Sequence, residues 1–342
     1  MLIAVPKEIK KNETRVALTP QYAANFTASG HQIIIEKNAG LCASFKDEEY
    51  IKVGAQIAKN PQETFSNADL IFKIWAPYEQ ELNYLSQGQT ILCNSQNLKT
   101  FQHLKKFSTA RINLFALDLI PRISRAQNMD ILSSQDALSG YEAAILGAQC
   151  LHSVVPLFMT AAGTLPPVKA LVIGLGVSCL QAAATIRRLG ALVYATDIRP
   201  ETQEQALSVG AEFVKEITNE FLKSVKLIIT GATRRGKSAP KVLTAKQLSA
   251  LSPDCIIIDM AADSGGNIIK EKLSPQIKLI QDNHLACRIP TSASTLYAGN
   301  IFHFCKTLLK NNSLQPDFDD EIIATTAVCC HGQINHPYLT GR

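Results

Sequence analysis

The segment from Lys169 to Asp197 constrains this chain more than any other. Ala170-Leu171-Val172-Ile173 is a short continuous apolar run that reads as a buried strand, and it passes directly into Gly174-Leu175-Gly176. Val177 to Leu189 follows with helical character and closes on Gly190. A second apolar strand, Leu192 to Thr196, then ends in Asp197, about 20 positions after Gly176. Strand, glycine turn, helix, strand and acid stand in the order that a dinucleotide site requires. The two glycines permit a tight turn and close backbone approach, so a pyrophosphate can rest on the free amides of the helix N-terminus. Asp197 is then placed to accept hydrogen bonds from the hydroxyls of the adenosine ribose. Its charge repels a 2′-phosphate, which favours NAD(H) over NADP(H), and Arg199 works against that preference. The third glycine of the fingerprint is replaced by Cys179, a small residue. Gly174, Gly176, Val177, Asp197, Arg199, Gly231 and Ala232 form the expected cofactor-binding set.

The surroundings fit this reading. Lys226 to Thr230 and Cys255 to Asp259 are further apolar strands, and runs of this kind belong to a parallel sheet covered by helices on both faces. The first third alternates strands (Ile33-Ile34-Ile35, Asp69 to Ile74, Thr90 to Leu92) with helices (Pro20 to Ser29, Asp47 to Val53), again a parallel α/β pattern. Arg122 to Gln135 reads as a polar loop, Ala137 to Val155 as a helix, and Ile301 to Leu309 as a late helix before a terminal strand-like run. The expected fold class is α/β, with two Rossmann-like domains built on parallel sheets. The first domain, 1–132, is discontinuous and completed by 301–342; the nucleotide domain is 133–300.

Composition removes several alternatives. At 342 residues, 46% hydrophobic and 18% charged, the chain has the material for two cores and is not disordered. Thirty-four Lys and Arg against 29 Asp and Glu give +5, without a basic stripe, so no nucleic-acid partner is expected. Nine cysteines without a CxxC pair or metal-ligand spacing read as thiols of a reducing, cytoplasmic compartment, and no metal is expected. The N-terminus lacks an export signal, and prolines, His152 and Lys169 interrupt the longest apolar region, so no direct membrane insertion is expected.

The densest polar stretch is Arg122-Ile123-Ser124-Arg125-Ala126-Gln127-Asn128-Met129-Asp130-Ile131-Leu132-Ser133-Ser134-Gln135. Composition alone makes it a solvated loop with a local Arg–Asp ion pair and Ser133 or Ser134 capping a helix. This loop nevertheless resembles the signature of the alanine dehydrogenase and transhydrogenase family, and within it the NAD(H)-binding components of proton-translocating NAD(P) transhydrogenases. The resemblance runs in order through nearly the whole chain. It includes Pro6-Lys7-Glu8, Glu13 to Pro20, Thr160 to Thr164, Asp197 to Pro200, Gly236 to Pro240, Asp259 to Ala262, Gly265-Gly266-Asn267, Arg288 to Thr291, Leu296 to Asn300 and Asp317 to Asp320.

The resemblance implies hydride transfer between NADH and NADP+, with NADP(H) held on a partner subunit and the reaction coupled to proton movement through membrane subunits. It implies a homodimer, peripheral at the inner face of the membrane through those partners. Arg122, Asp130 and Ser133 match residues that hold the nicotinamide end of NAD, and Gln127 matches the one that reaches toward the partner's dihydronicotinamide; these four are the catalytic set. Transfer between two nicotinamide rings needs alignment and exclusion of water rather than an acid or base.

The amino-acid dehydrogenases of the family bind pyruvate with an Arg and a Lys and use a His as acid/base. Arg15 matches the Arg, but Trp75 and Gln96 stand at the other two positions, so Arg15 is expected to be structural. Transhydrogenases also carry a long mobile lid between the positions of Phe213 and Lys226, where only Val214 to Val225 lies here. Arg234-Arg235 stands where the family has Ile-Pro. Two further functions are therefore weighed: a stand-alone NAD-dependent amino or imino acid dehydrogenase, and a non-catalytic NAD-binding paralogue.

Overall fold

The computed structural model describes residues 1–98, 101–233, 238–282 and 284–335. Arg234-Arg235, and Gly236-Lys237 of the Gly236 to Pro240 motif, lie outside the described residues. The chain divides into two compact units, Met1–Gln135 with Ile289–Arg342, and Asp136–Arg288.

Among the described residues the first unit holds an eight-stranded sheet. Edge to edge it runs Gln56–Ala58, Gln32–Glu36, Leu2–Val5, Leu70–Trp75, Thr90–Asn94, Asn113–Ala116, Ala327–Cys330 and Gln333–Ile334. Numbered along the chain, the first six are parallel in the order 3-2-1-4-5-6. The sheet is not wholly parallel as expected. Ala327–Cys330 joins Asn113–Ala116 antiparallel and Gln333–Ile334 folds back on it. The C-terminal segment therefore completes the unit by extending its sheet. Alternation along Leu70–Trp75 places Phe72 with Phe115, Tyr297 and Phe304 on one face, and Ile71 with Phe65 and Phe107 on the other.

The second unit repeats the order. Glu212–Phe213, Leu192–Thr196, Lys169–Ile173, Leu227–Thr230, Ile256–Asp259 and Lys278–Ile280 form a parallel sheet, 3-2-1-4-5-6 from Lys169–Ile173. Lys169–Ile173, Leu227–Thr230 and Ile256–Asp259 are almost entirely buried, which accounts for their continuous apolar sequences, while Leu192–Thr196 is more open and exposes Leu192. The antiparallel pair Phe158–Thr160 and Gly163–Leu165 is exposed along its whole length, with Leu157, Phe158, Met159 and Leu165 open to solvent.

Three differences from expectation have local causes. The polar loop is a short 3-10 helix, Ser124–Met129, followed at once by the helix Ile131–Cys150, because Asp130 caps that helix. Its end at Cys150 rather than Val155 coincides with the return of β-branched residues. The late helix begins at Pro290 and runs to Leu308, so the chain re-enters the first unit at Ile289 rather than at 301. Proline at its first turn supplies the start.

Candidate functional site

In the second unit the strand order reverses between Lys169–Ile173 and Leu227–Thr230, and the glycine turn sits at the C-terminal end of that junction. Open α/β sheets bind ligands at such points. Main-chain bonds tie the three strand ends together: Gly174 N–H donates to Thr196 O at 2.9 Å, and Gly231 N–H donates to Ile173 O at 3.2 Å. Gly174 has a φ of +88°, and a Cβ there would meet Ala232 backbone at 3.0 Å, so glycine is required by conformation and by space.

Gly176 differs. Its φ is −81°, and a Cβ built on it meets none of the described residues within 4 Å. No neighbouring residue demands glycine; the space that a side chain would fill lies over the start of the helix Val177–Arg188. That helix has no side-chain cap bond and no acidic residue in its first turn, and Val177 is exposed. An anionic group fits this place, held by the first-turn amides.

Cys179, the replaced glycine, is fully buried, and its thiol approaches Ile173 O at 3.7 Å. Room for it comes from Gly231, where a Cβ would lie 2.8 Å from Cys179 Sγ. A compensating glycine just past the neighbouring strand Leu227–Thr230 thus admits the larger side chain. Burial pushes the thiol well above the ordinary range, so it is inert.

Asp197 and Arg199 are interlocked. Asp197 Oδ2 accepts from Leu175 N–H at 2.6 Å and Arg199 Nη2 at 2.9 Å; Oδ1 accepts from Arg199 N–H at 2.9 Å and Nε at 3.0 Å. Partial burial works to raise the Asp197 pKa, but the Arg199 and Leu175 hydrogen bonds outweigh it and hold the carboxyl below its usual range. The expected ribose acceptor is therefore present, but its acceptor positions are engaged.

Sequence reasoning placed Asn267 and its anchor Asp259 in segments that carry the resemblance but gave neither a role. Both are fully buried. Asp259 accepts from the backbone N–H groups of Ala261 and Asn267 and from Gln281 Nε2. Asn267 in turn bonds Ala232 and Pro240. The signal was available in Asp259 and Gly265-Gly266-Asn267: an acid ending a buried strand before a glycine pair implies a loop organised on that carboxylate.

The expected catalytic set lies in the first unit. Asp130 and Ser133 are brought together: Ser133 donates to Asp130 from its backbone N–H at 3.0 Å and from Oγ at 2.5 Å. Asp130, not Ser133 or Ser134, is thus the helix cap. The ion pair of this stretch joins Arg125 to Asp320 at 2.6 Å. Arg122 and Gln127 are exposed, and their side chains have no partner among the described residues.

The reversal point of the first unit, between Leu2–Val5 and Leu70–Trp75, is filled by its own side chains. Glu8 Oε1 accepts from Ile74 N–H at 2.6 Å, and its Oε2 lies 3.3 Å from the fully buried Lys73 Nζ, which also bonds Glu81 at 2.8 Å. Trp75 Nε1 donates to Glu13 at 2.7 Å, and Lys10 Nζ lies 3.4 Å from the Trp75 ring centre. Arg15 bonds Glu13 through Nε and Nη2 and Gln135 through Nη1. Burial works to raise the Glu13 pKa, but the bonds from Arg15 and Trp75 lower it to about 2. Arg15 is accordingly structural here, and the Trp75 indole N–H is committed to Glu13. Outside this crevice an open groove of about 750 Å³, lined by Lys10, Lys11, Tyr78 and Glu79, contains none of the expected site residues. Among the described residues no His, Cys, Asp or Glu cluster suits a metal, and no helix is long and apolar enough to cross a membrane.

The strand order, the glycine turn at its reversal and the acid ending the second strand define a nucleotide-binding α/β protein of Rossmann type. The chain belongs to the alanine dehydrogenase/PNT family: the N-terminal domain of that family matches residues 4–139 and its C-terminal domain matches residues 143–337. It is 35% identical to the first part of NAD(P) transhydrogenase subunit alpha of Rhodospirillum rubrum over 382 aligned positions, covering 100% of both chains. The crystal structure of transhydrogenase from Sinorhizobium meliloti superposes with a TM-score of 0.91 at 33% identity, over 98% of this chain and 100% of that one. Alanine dehydrogenase of Methanococcus maripaludis is more distant, 29% identical over 78% of this chain and 74% of the relative.

Proposed function

We propose that the chain is the NAD(H)-holding component of a transhydrogenase, passing hydride between NADH and NADP+ held on a partner subunit. NADH is oxidised to NAD+ and NADP+ reduced to NADPH, so no protein acid or base is required for the transfer. The observation that carries the reading is Gly176, whose missing side chain serves no internal contact and leaves the helix start open to a pyrophosphate. A dinucleotide held by its pyrophosphate at that turn would supply the hydride chemistry from its nicotinamide ring. The chain's own residues supply position: the first-turn amides hold the pyrophosphate, Asp197 the ribose, and Gly231 and Ala232 line the adjacent strand end. Arg122, Asp130 and Ser133 are assigned to the nicotinamide end and Gln127 to the partner's ring. The exposed, unpaired state of Arg122 and Gln127 supports that assignment, since transfer to a partner needs residues not already bonded within the chain. The amino-acid dehydrogenase reading is opposed by Trp75, by Gln96 and by the bonds that tie Arg15 to Glu13 and Gln135.

The partner subunits that we infer are an NADP(H)-binding component and membrane components that couple the reaction to proton translocation, with this chain peripheral at the cytoplasmic face. A homodimer is proposed as well, supported by the exposed apolar pair Phe158–Thr160 and Gly163–Leu165; an isolated hairpin of this kind is marginal in water without a covering surface. Sedimentation of a monomer at micromolar concentration removes that element. The short connection Val214 to Val225 implies a site without a closing lid, hence weaker exclusion of water and slower transfer. The 382 aligned positions against 342 residues support a chain lacking segments of that relative.

The test is to mix the purified chain with an NADP(H)-binding transhydrogenase component and follow hydride exchange between NADH and an NADP+ analogue. Exchange is expected, and Gln127→Asn slows it while leaving NAD affinity nearly unchanged. No exchange, with NAD still bound, removes the catalytic reading and leaves a nucleotide-binding paralogue.

A further inference from the structure

We infer that Arg199 sets selectivity at the ribose 2′ position, by occupying in the free protein the carboxylate that a ribose diol requires. This rests on the reading of the Gly174–Gly176 turn and Asp197 as a dinucleotide site. A carboxylate offers about four lone-pair directions. All four of Asp197 are engaged: two by the backbone N–H groups of Leu175 and Arg199, and two by Arg199 Nε and Nη2. The backbone donors belong to the fold of the turn and remain. The guanidinium is the replaceable occupant. Its side chain is 51% exposed against 6% for Asp197, so the guanidinium is open to solvent while the carboxylate is not.

A dinucleotide with a free 2′-hydroxyl must displace the guanidinium from both carboxylate oxygens. Arg199 Nη2 also donates to Leu175 O at 3.2 Å, so it spans the acid and the turn that the ribose must approach. Once displaced by a diol, the arginine loses its strong anionic partner, and Glu201 is the remaining nearby acid. A 2′-phosphate changes this balance. It cannot share Asp197, but two of its oxygens offer the guanidinium a doubly charged, two-bond partner in place of the carboxylate that it leaves. One arginine therefore weakens NAD binding and supports NADP binding, narrowing the discrimination that Asp197 alone would impose.

Calorimetric titration of NAD+ and NADP+ into the full chain, its Arg199→Gln variant and its Arg199→Lys variant tests this, with thermal unfolding to confirm equal folding. For Arg199→Gln, NAD+ is expected to bind roughly three- to ten-fold tighter, since a half-exposed ion pair no longer has to be broken. NADP+ is expected to bind about ten-fold weaker, because a charge-assisted contact is lost. Arg199→Lys keeps the charge without the fork and falls between. An unchanged ratio of the two affinities in Arg199→Gln, or equal weakening of both, overturns the inference while leaving the site intact. A folded parent chain that binds neither nucleotide overturns the reading of the turn itself, and this inference with it.

Discussion

Asn267 grips Ala232 by both of its main-chain groups: its Oδ1 accepts the Ala232 N–H at 3.0 Å and its Nδ2 donates to the Ala232 carbonyl at 2.8 Å. The same Nδ2 donates to Pro240 O at 2.8 Å. Ala232 is the residue against which Gly174 closes. A side chain from the loop after one strand thereby does the work of a ladder for another loop, and fixes the wall of the glycine turn.

Asn267→Asp keeps the acceptor and turns the donor into a second acceptor facing two carbonyl oxygens. The expected cost is roughly 2–4 kcal/mol, from lost hydrogen bonds and buried unsatisfied groups. Urea unfolding measures it. NAD titration under conditions where the variant is folded should also weaken, because Ala232 is no longer held. A variant as stable as the parent would show that the clamp is incidental.

Gly231 and Cys179 share one space. Gly231→Ala drives a methyl into the thiol and should destabilise by about 1–3 kcal/mol, the usual cost of overpacking. Cys179→Ala removes the obstruction, so the double variant should recover most of that loss. A double-mutant cycle on denaturation midpoints reads the coupling, and simple additivity of the two effects would refute the shared space.

Glu8, Lys73 and Glu81 place two carboxylates and one ammonium in a dry interior. Burial, only partly offset by Lys73, raises Glu8 from 4.5 to about 7. The folded form binds the proton more tightly than the unfolded chain does. The stability that this supplies is fully present below about pH 4.5 and is lost as pH rises through about 7. Glu8→Gln keeps an acceptor for Ile74 N–H and cannot ionise, so its stability should decline less than the parent's between pH 5 and about 8. Parallel stability profiles for the two proteins across that window would refute the assignment.

Asp130 is both the cap of Ile131–Cys150 and a member of the proposed nicotinamide set. Asp130→Ala should cost about 0.5–2 kcal/mol through the lost cap alone. Asp130→Ser retains a capping oxygen and should recover that stability. If Asp130→Ser also restores hydride exchange in full, the carboxylate has no role beyond the cap.

The nucleotide unit was largely legible because each central strand is a continuous apolar run, and because glycine and aspartate mark the turn by chemistry that few other residues can supply. Lys73 was not legible: it lies within the run Leu70–Trp75, and its tolerance depends on Glu8 and Glu81, which only the folded sheet brings beside it. The start of the late helix was obscured by Thr291, Ser292, Ser294 and Thr295, whose polarity reads as loop. In the fold Thr291 donates to Ala43 O at 2.9 Å and Ser294 accepts from Val16 N–H at 3.0 Å, partners remote in sequence. Asp197 was found as an acid in the right place, but its occupancy by Arg199 depends on the backbone path through Ile198, which no spacing rule specifies.

The three glycines around the turn answer to different constraints, and this has a consequence for how substitutions are tolerated. Gly174 and Gly231 are needed by conformation or by contact, so variants there should be depleted from a library sorted for soluble, folded protein. Gly176 has no such neighbour and should accept alanine in that sort with little loss. The same library sorted on immobilised nucleotide should lose it. A position that is silent for folding and restrictive for retention on the ligand marks where the boundary of the molecule is drawn by what it holds.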